Sequence, residues 1–171
     1  MNIEINKSDD LSENFNELIN AFYSQALKKI NEQEFEQAIE LFSRVLEYDK
    51  NFYSARQNRG SLKAMLGDYH GAMADLVSVL LAEPQNTGAL KSLGGVFYHL
   101  GDYKNAATVL SNAIKFEPNN SDLHYERGRF KMLIKDYSGA ISDLKNAIDL
   151  NPNDAEAIQD YNECANILNR Q

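Results

Sequence analysis

Gly101-Asp102-Tyr103-Lys104-Asn105-Ala106 decides how this chain is read, because nearly the same statement stands at one fixed interval on either side of it. Thirty-four residues earlier are Gly67, Asp68, Tyr69 and Ala72; thirty-four later are Asp136, Tyr137 and Ala140, with Lys135 in the place of the glycine. A second step back gives Gln33, Glu34, Phe35 and Ala38. A constant interval without insertions is the mark of a repeat array, in which each unit buries its apolar face against its neighbours.

Working outward, each unit contains two helices. The first carries a small residue at one phase (Ala26, Gly60, Gly94, Gly128), and the second begins with Ala38, Ala72, Ala106 or Ala140. Four and seven residues beyond those alanines stand Phe42 and Val45, Leu76 and Val79, Leu110 and Ala113, and Leu144 and Ala147, one apolar helical face per unit. Small residues are needed where two helix backbones cross closely; larger ones there cost about 1–3 kcal/mol. Pro84, Pro118 and Pro152 fall at one phase, just past each second helix, where a ring that cannot continue a helix ends one and sets up the next. Lys50 breaks that pattern in the first unit. Gln33 and Lys135 replace the turn glycine, which costs about 1 kcal/mol each if the turn needs positive φ.

Ahead of the first unit, residues 1–9 are polar, acidic and aperiodic, and read as a flexible lead-in to a single domain over 10–171. Asp10 with Glu13 resembles a capping box, and Leu11, Phe15, Leu18, Phe22, Ala26 and Ile30 then predict a long helix to Asn31.

Composition narrows the class of function. A formal charge of -8 disfavours a nucleic-acid or anionic-membrane binder. The single cysteine, Cys164, cannot form an internal disulfide, and no apolar run has the length of a membrane span or a signal-peptide core. The expected compartment is therefore the cytoplasm.

The interval of 34, the Gly or Ala of the first helix, the Gly-Asp-Tyr-x-x-Ala turn and the Pro after the second helix resemble the tetratricopeptide repeat. Four copies fall at 19–52, 53–86, 87–120 and 121–154. Residues 155–169 match only a first helix and are similar to the family's C-terminal capping helix, with Ala157, Ile158, Tyr161, Ala165 and Leu168 on its apolar side. The resemblance implies an all-α, right-handed α-solenoid of four antiparallel helix pairs with a C-terminal solvating helix, acting as a non-catalytic scaffold or adaptor. In such a solenoid the first helices line a groove that receives a peptide segment of a partner. Carried over by phase, that groove holds Tyr23, Leu27, Asn58, Lys91, Tyr98, His99, Tyr125 and Arg129, with Tyr98, Tyr125 and Arg129 as the expected anchors because Tyr and Arg most often anchor interfaces. The alternative is that the tyrosines pack between repeats. A branch of the family that grips the C-terminal carboxylates of heat-shock chaperones sets Lys and Asn, then Asn, then Lys and Arg at fixed phases; only Asn58 fits here, so no chaperone-tail binding is expected.

Two further features come from comparing the units with one another. Arg59 and Arg127 precede the small residue in the second and fourth units, and those same units carry Asp75 and Asp143 sixteen residues on, whereas the third has Leu93 and Val109. The covariation predicts that Arg59 pairs with Asp75 and Arg127 with Asp143, rather than binding phosphate. In the second helix of the second unit, Ala74, Val77 and Leu81 are apolar where other units are polar, such as Glu40, Ser43 and Glu47. This outer stripe suggests self-association as a homo-oligomer, against the alternative of local packing on a neighbouring helix.

No catalytic constellation emerges, so an enzyme is not expected, nor are a cofactor or a metal. His70, His99 and His124 occupy three different phases without ligand-spaced companions, and read as surface or groove residues. Cys164 reads as a half-buried structural thiol.

Overall fold

The computed structural model describes residues 7–170 of the chain, with side chains described from residue 14 onward. Nine helices are present among the described residues: α1 (Lys7–Asn31), α2 (Phe35–Tyr48), α3 (Tyr53–Met65), α4 (Tyr69–Ala82), α5 (Thr87–His99), α6 (Tyr103–Phe116), α7 (Ser121–Leu133), α8 (Tyr137–Leu150) and α9 (Ala155–Leu168). They stack as four antiparallel pairs plus α9, an all-α solenoid.

Local chemistry explains the punctuation. Asp68, Asp102 and Asp136 each cap a second helix by accepting the backbone N–H three residues on, and Asn86, Asn120 and Asp154 do the same for the following first helices. The first unit lacks both devices: Glu34 and Phe52 stand at the cap positions of α2 and α3 and make no side-chain cap bond. Phe52 instead packs its ring 4.9 Å from Tyr23. The turn between the paired helices passes through positive φ in every unit, at Gln33 (60°), Gly67 (86°), Gly101 (76°) and Lys135 (63°).

The crossing glycines are set by contact. A Cβ on Gly60 would stand 3.0 Å from Leu76, and one on Gly128 would stand 3.0 Å from Leu144. Across this joint the alanines and large apolar residues of the second helices (Phe42, Leu76, Leu110, Leu144) are fully buried, which puts the core between the two helices of each pair. Neighbouring first helices approach one another, α3 to α5 and α7 to α9, more closely than neighbouring second helices do. The array therefore curves toward its first helices, which form the inner side.

Three expectations need correction. α1 starts at Lys7, so Lys7, Ser8 and Asp9 are helical rather than part of the lead-in, and Asp10 lies inside the helix rather than capping it; residues 1–6 of that lead-in lie outside the described residues. Cys164 is fully rather than half buried, against Ala140 and Leu144, and burial, then the Glu163 and Asp160 charges, push its thiol pKa up. His124 is buried, not a surface residue: its Nε2 lies 2.8 Å from the Pro118 carbonyl oxygen beneath the α6–α7 connection.

Candidate functional site

The inner side divides into two halves. Between α3 and α5 lies a depression of about 300 Å³, lined by Ser61, Ala64 and Met65 from one helix and by Ser92, Gly95 and His99 from the next. The period of 34 places these residues at matching phases of successive first helices, and the helical rise turns one face of each toward the same space. Ser61 and Ser92 hydrogen-bond each other at 2.8 Å across its floor. His99, exposed at the rim, is held by stacking on Tyr69 (5.3 Å between centroids, 11° between planes). No carboxylate, lysine or arginine lines this space. Leu27 of α1, also exposed, stands on the same inner side one unit earlier.

The second half, where α7 meets α9, is polar. Tyr125, Arg129, Glu156, Gln159 and Asp160 surround a depression of about 340 Å³. The Tyr125 hydroxyl donates to Glu156 Oε2 at 3.0 Å, and the Arg129 guanidinium lies 5.6 Å from the Tyr125 ring centre. Burial first, then the hydrogen bond to Glu156, push the Tyr125 pKa well above its ordinary value. Burial also pushes the Asp160 carboxyl up; the Arg129 charge opposes this, but Glu163 and Glu156 add to it. Lys91 is engaged nearby, 3.3 Å from Glu126 and 3.9 Å from Asp122. A wider hollow of about 550 Å³ is formed by six consecutive residues, Glu117–Asn120 of the connection and Ser121 and Asp122 at the start of α7, with nothing from elsewhere in the chain to define a ligand.

The residues expected in the groove thus behave differently from one another. Leu27, His99 and Arg129 are exposed on the inner side. Tyr23 packs on Phe42 and Phe52, and its hydroxyl accepts a hydrogen bond from Asn58. Tyr98, an expected anchor, stacks 5.5 Å from Phe130 of the next unit and lies 5.7 Å from Tyr103, so its ring joins repeat to repeat. Ser61, Ala64, Met65, Ser92 and Gly95 complete the depression. Met65 and Gly95, outside the expected groove set, stand at the phases of His99 and Leu27, so carrying every inner phase through each unit finds them.

The paired charges are direct. Arg59 donates to both oxygens of Asp75 (Nε 2.8 Å, Nη2 2.6 Å), and Arg127 to both of Asp143 (2.8 and 2.5 Å). Each carboxylate also receives a lysine, Lys63 or Lys131, at 2.9 Å, and each arginine reaches back to a serine of the preceding unit, Ser43 or Ser111. Those lysines and serines recur at the same spacing of 68 and were legible too. Burial pushes the Asp75 carboxyl up, but the hydrogen bonds and charges of Arg59 and Lys63 outweigh it and hold the group below the ordinary carboxylate range. On the outer wall, Val77 is 40% and Leu81 81% exposed, so Leu81 is not packed into a neighbouring helix.

Among the described residues no group of three His, Cys, Asp or Glu is arranged to hold a metal, and no helix is long and apolar enough to cross a membrane.

A curved stack of helix pairs with an uncovered inner face defines a helical-repeat interaction scaffold. Family models place the chain within that class: residues 94–132 match one described as TPR repeat, and residues 121–154 one described as tetratricopeptide repeat. Residues 94–154 of the chain therefore carry tetratricopeptide repeats. Among solved structures it is similar to MamA, at 20% identity and a TM-score of 0.80 over 87% of this chain and 81% of that one. A MamA from Desulfovibrio magneticus gives 20% and 0.77 over 89% and 92%. A thermophilic tetratricopeptide protein of Thermus thermophilus gives 20% and 0.71 over 89% and 84%. At these identities the likeness is one of fold. A comparison with curated proteins finds no match. Tetratricopeptide solenoids serve in general as scaffolds for protein–protein interaction.

Proposed function

We propose that this protein is a non-catalytic adaptor that captures a peptide segment of a partner on the inner side of its solenoid. The observation that carries the reading is the uncovered depression between α3 and α5, continued by the exposed Leu27 on one side and Arg129 on the other. Association must overcome the ordering of a flexible segment, so a single short peptide binds at about micromolar strength.

The test is capture from a lysate of the source organism, read by mass spectrometry, with wild type against a Leu27→Glu, His99→Glu variant. Both side chains are exposed, so the variant is expected to melt with the wild type. Proteins held by the wild type and lost from the variant support the groove; proteins held equally by both count against it.

A second reading rests on the outer wall. Leu81 and Val77 present apolar surface that no element among the described residues covers, and such surface favours self-association. Light scattering should then show mass rising with concentration, and Val77→Lys with Leu81→Lys should abolish the rise. A monomer at high concentration removes this reading.

A further inference from the structure

Gly95 has no evident use in the fold. Its neighbour Gly94 sits at the helix crossing, where a Cβ would stand 3.2 Å from Leu110, whereas a Cβ on Gly95 would meet nothing within 4 Å. Its backbone is helical and is not among the positive-φ glycines. A glycine in a helix interior is destabilising relative to alanine, so α5 carries that cost with no packing or backbone return. What the missing side chain does is leave the depression between α3 and α5 open at its base. At the same phase the other units carry a side chain, Leu27, Ser61 or Arg129.

The surroundings specify what fits there. The Ser61 and Ser92 hydroxyls hydrogen-bond each other, which leaves one O–H between them as a neutral donor, and the nearby lysines are committed, Lys91 to Glu126 and Lys63 to Asp75. The walls are Ala64, the flexible and largely exposed Met65, and the His99 ring fixed against Tyr69. At about 300 Å³ the space is at the lower end of what small-molecule sites offer, roughly 300–1,000 Å³, and suits one side chain rather than a whole cofactor.

We infer that the partner segment is an uncharged stretch that seats one leucine- or methionine-sized side chain over Gly95, between Met65 and His99. The inference rests on the groove reading above and narrows it: recognition here is by shape and apolar contact, with no charge pair to steer it.

The probe is a library of random peptides displayed on phage, selected on the immobilised full chain and counter-selected on bare support. Enriched peptides should share one Leu, Met, Ile or Phe flanked by neutral residues. A synthetic peptide of the enriched sequence should lose about tenfold or more in affinity against Gly95→Leu, since the new side chain occupies the seat. Its affinity should change by less than about twofold from low to high salt, where a charge-led contact would weaken as screening rises. Melting of Gly95→Leu should match or exceed the wild type, which separates a filled seat from a damaged fold. Enrichment of acidic or basic peptides, or strong salt dependence, overturns the neutral-segment inference while leaving the groove in place if Leu27→Glu, His99→Glu still abolishes binding. Peptides indifferent both to Gly95→Leu and to that variant overturn the inference and the groove together, and so does a library without enrichment over bare support.

Discussion

The second and third repeats close the same helix crossing with different chemistry. In the second, Arg59, Lys63 and Asp75 meet with Ser43 of the preceding unit; in the third, the corresponding positions are Leu93, Phe97, Val109 and Val77. The fourth repeats the second, through Arg127, Lys131, Asp143 and Ser111. The backbone joint tolerates either set: hydrogen bonds close the ionic one, and Leu93 packed with Phe97 and Val109 closes the apolar one, while Val77 stays exposed at its outer edge. The two differ in how they fail: apolar members are lost piecemeal, whereas a buried carboxylate and the cations around it depend on one another. The largest expected effect follows. Asp143→Ala leaves Arg127 and Lys131 without their anion in a site where Asp143 is only 1% exposed. Breaking buried pairs costs about 3–5 kcal/mol; because both cations keep some contact with water, about 2–4 kcal/mol is expected here. Val109→Ala, at the same phase of the third repeat, should cost about 1 kcal/mol. Chemical denaturation of the two variants measures the difference, and equal losses would mean that the ionic joint is no more interdependent than the apolar one.

Exchanging the whole set sharpens the contrast. Ser43→Val, Arg59→Leu, Lys63→Phe and Asp75→Val together give the second repeat the chemistry of the third. Replacing buried ion groups by apolar residues of similar volume is commonly neutral or stabilising by about 1–4 kcal/mol, so this variant should be at least as stable as wild type at neutral pH. It should also respond differently to acid. The folded pKa of Asp75 is depressed below its unfolded value, so its contribution is complete above the unfolded pKa, about 3.9, and is lost as pH falls through the folded value. Wild type should therefore lose stability more steeply below about pH 4 than the exchanged variant. Parallel acid limbs in denaturation at stepped pH would remove Asp75 as the cause.

How far the chain could be read without its structure follows from the same contrast. The array, the helix pairs and the small residue at each crossing were legible because the chain states them four times in phase, as Ala26, Gly60, Gly94 and Gly128. The Arg–Asp partnership was legible because two repeats have both members and the other two have neither, with Leu93 and Val109 in the third and Gln25 and Leu41 in the first. The groove was harder, since a surface facing solvent need not repeat: Gly95 and Met65 stand where other units carry unrelated residues. The two roles open to a tyrosine, anchor or spacer, depend on ring contacts that spacing does not encode. Tyr98 stacks on Phe130 of the following unit, while Tyr125 is engaged by Glu156 of α9. The start of α1 at Lys7 was missed because its first turn lies in a polar stretch without apolar periodicity.

The smallest expected effect concerns the turns, where the first and fourth repeats differ from the second and third. All four turn residues have positive φ, but only Gly67 and Gly101 adopt it without a Cβ in the way. Lys135 and Gln33 bear a steric cost of roughly 1–2 kcal/mol, against which glycine would add about 0.5–1 kcal/mol of chain entropy to the unfolded state. Lys135→Gly should therefore stabilise by up to about 1 kcal/mol, and Gln33→Gly by a similar local amount. The two should read out differently. The fourth repeat lies between the third and α9 and carries a side-chain cap at Asp136, so its gain should appear in the global denaturation midpoint. The first repeat lacks side-chain caps at Glu34 and Phe52, so it can open without the rest. Relief at Gln33 should then appear chiefly as slower amide hydrogen exchange in α1 and α2 with little movement of the midpoint. If both variants move the midpoint equally, the array unfolds as one unit and its ends are not independent.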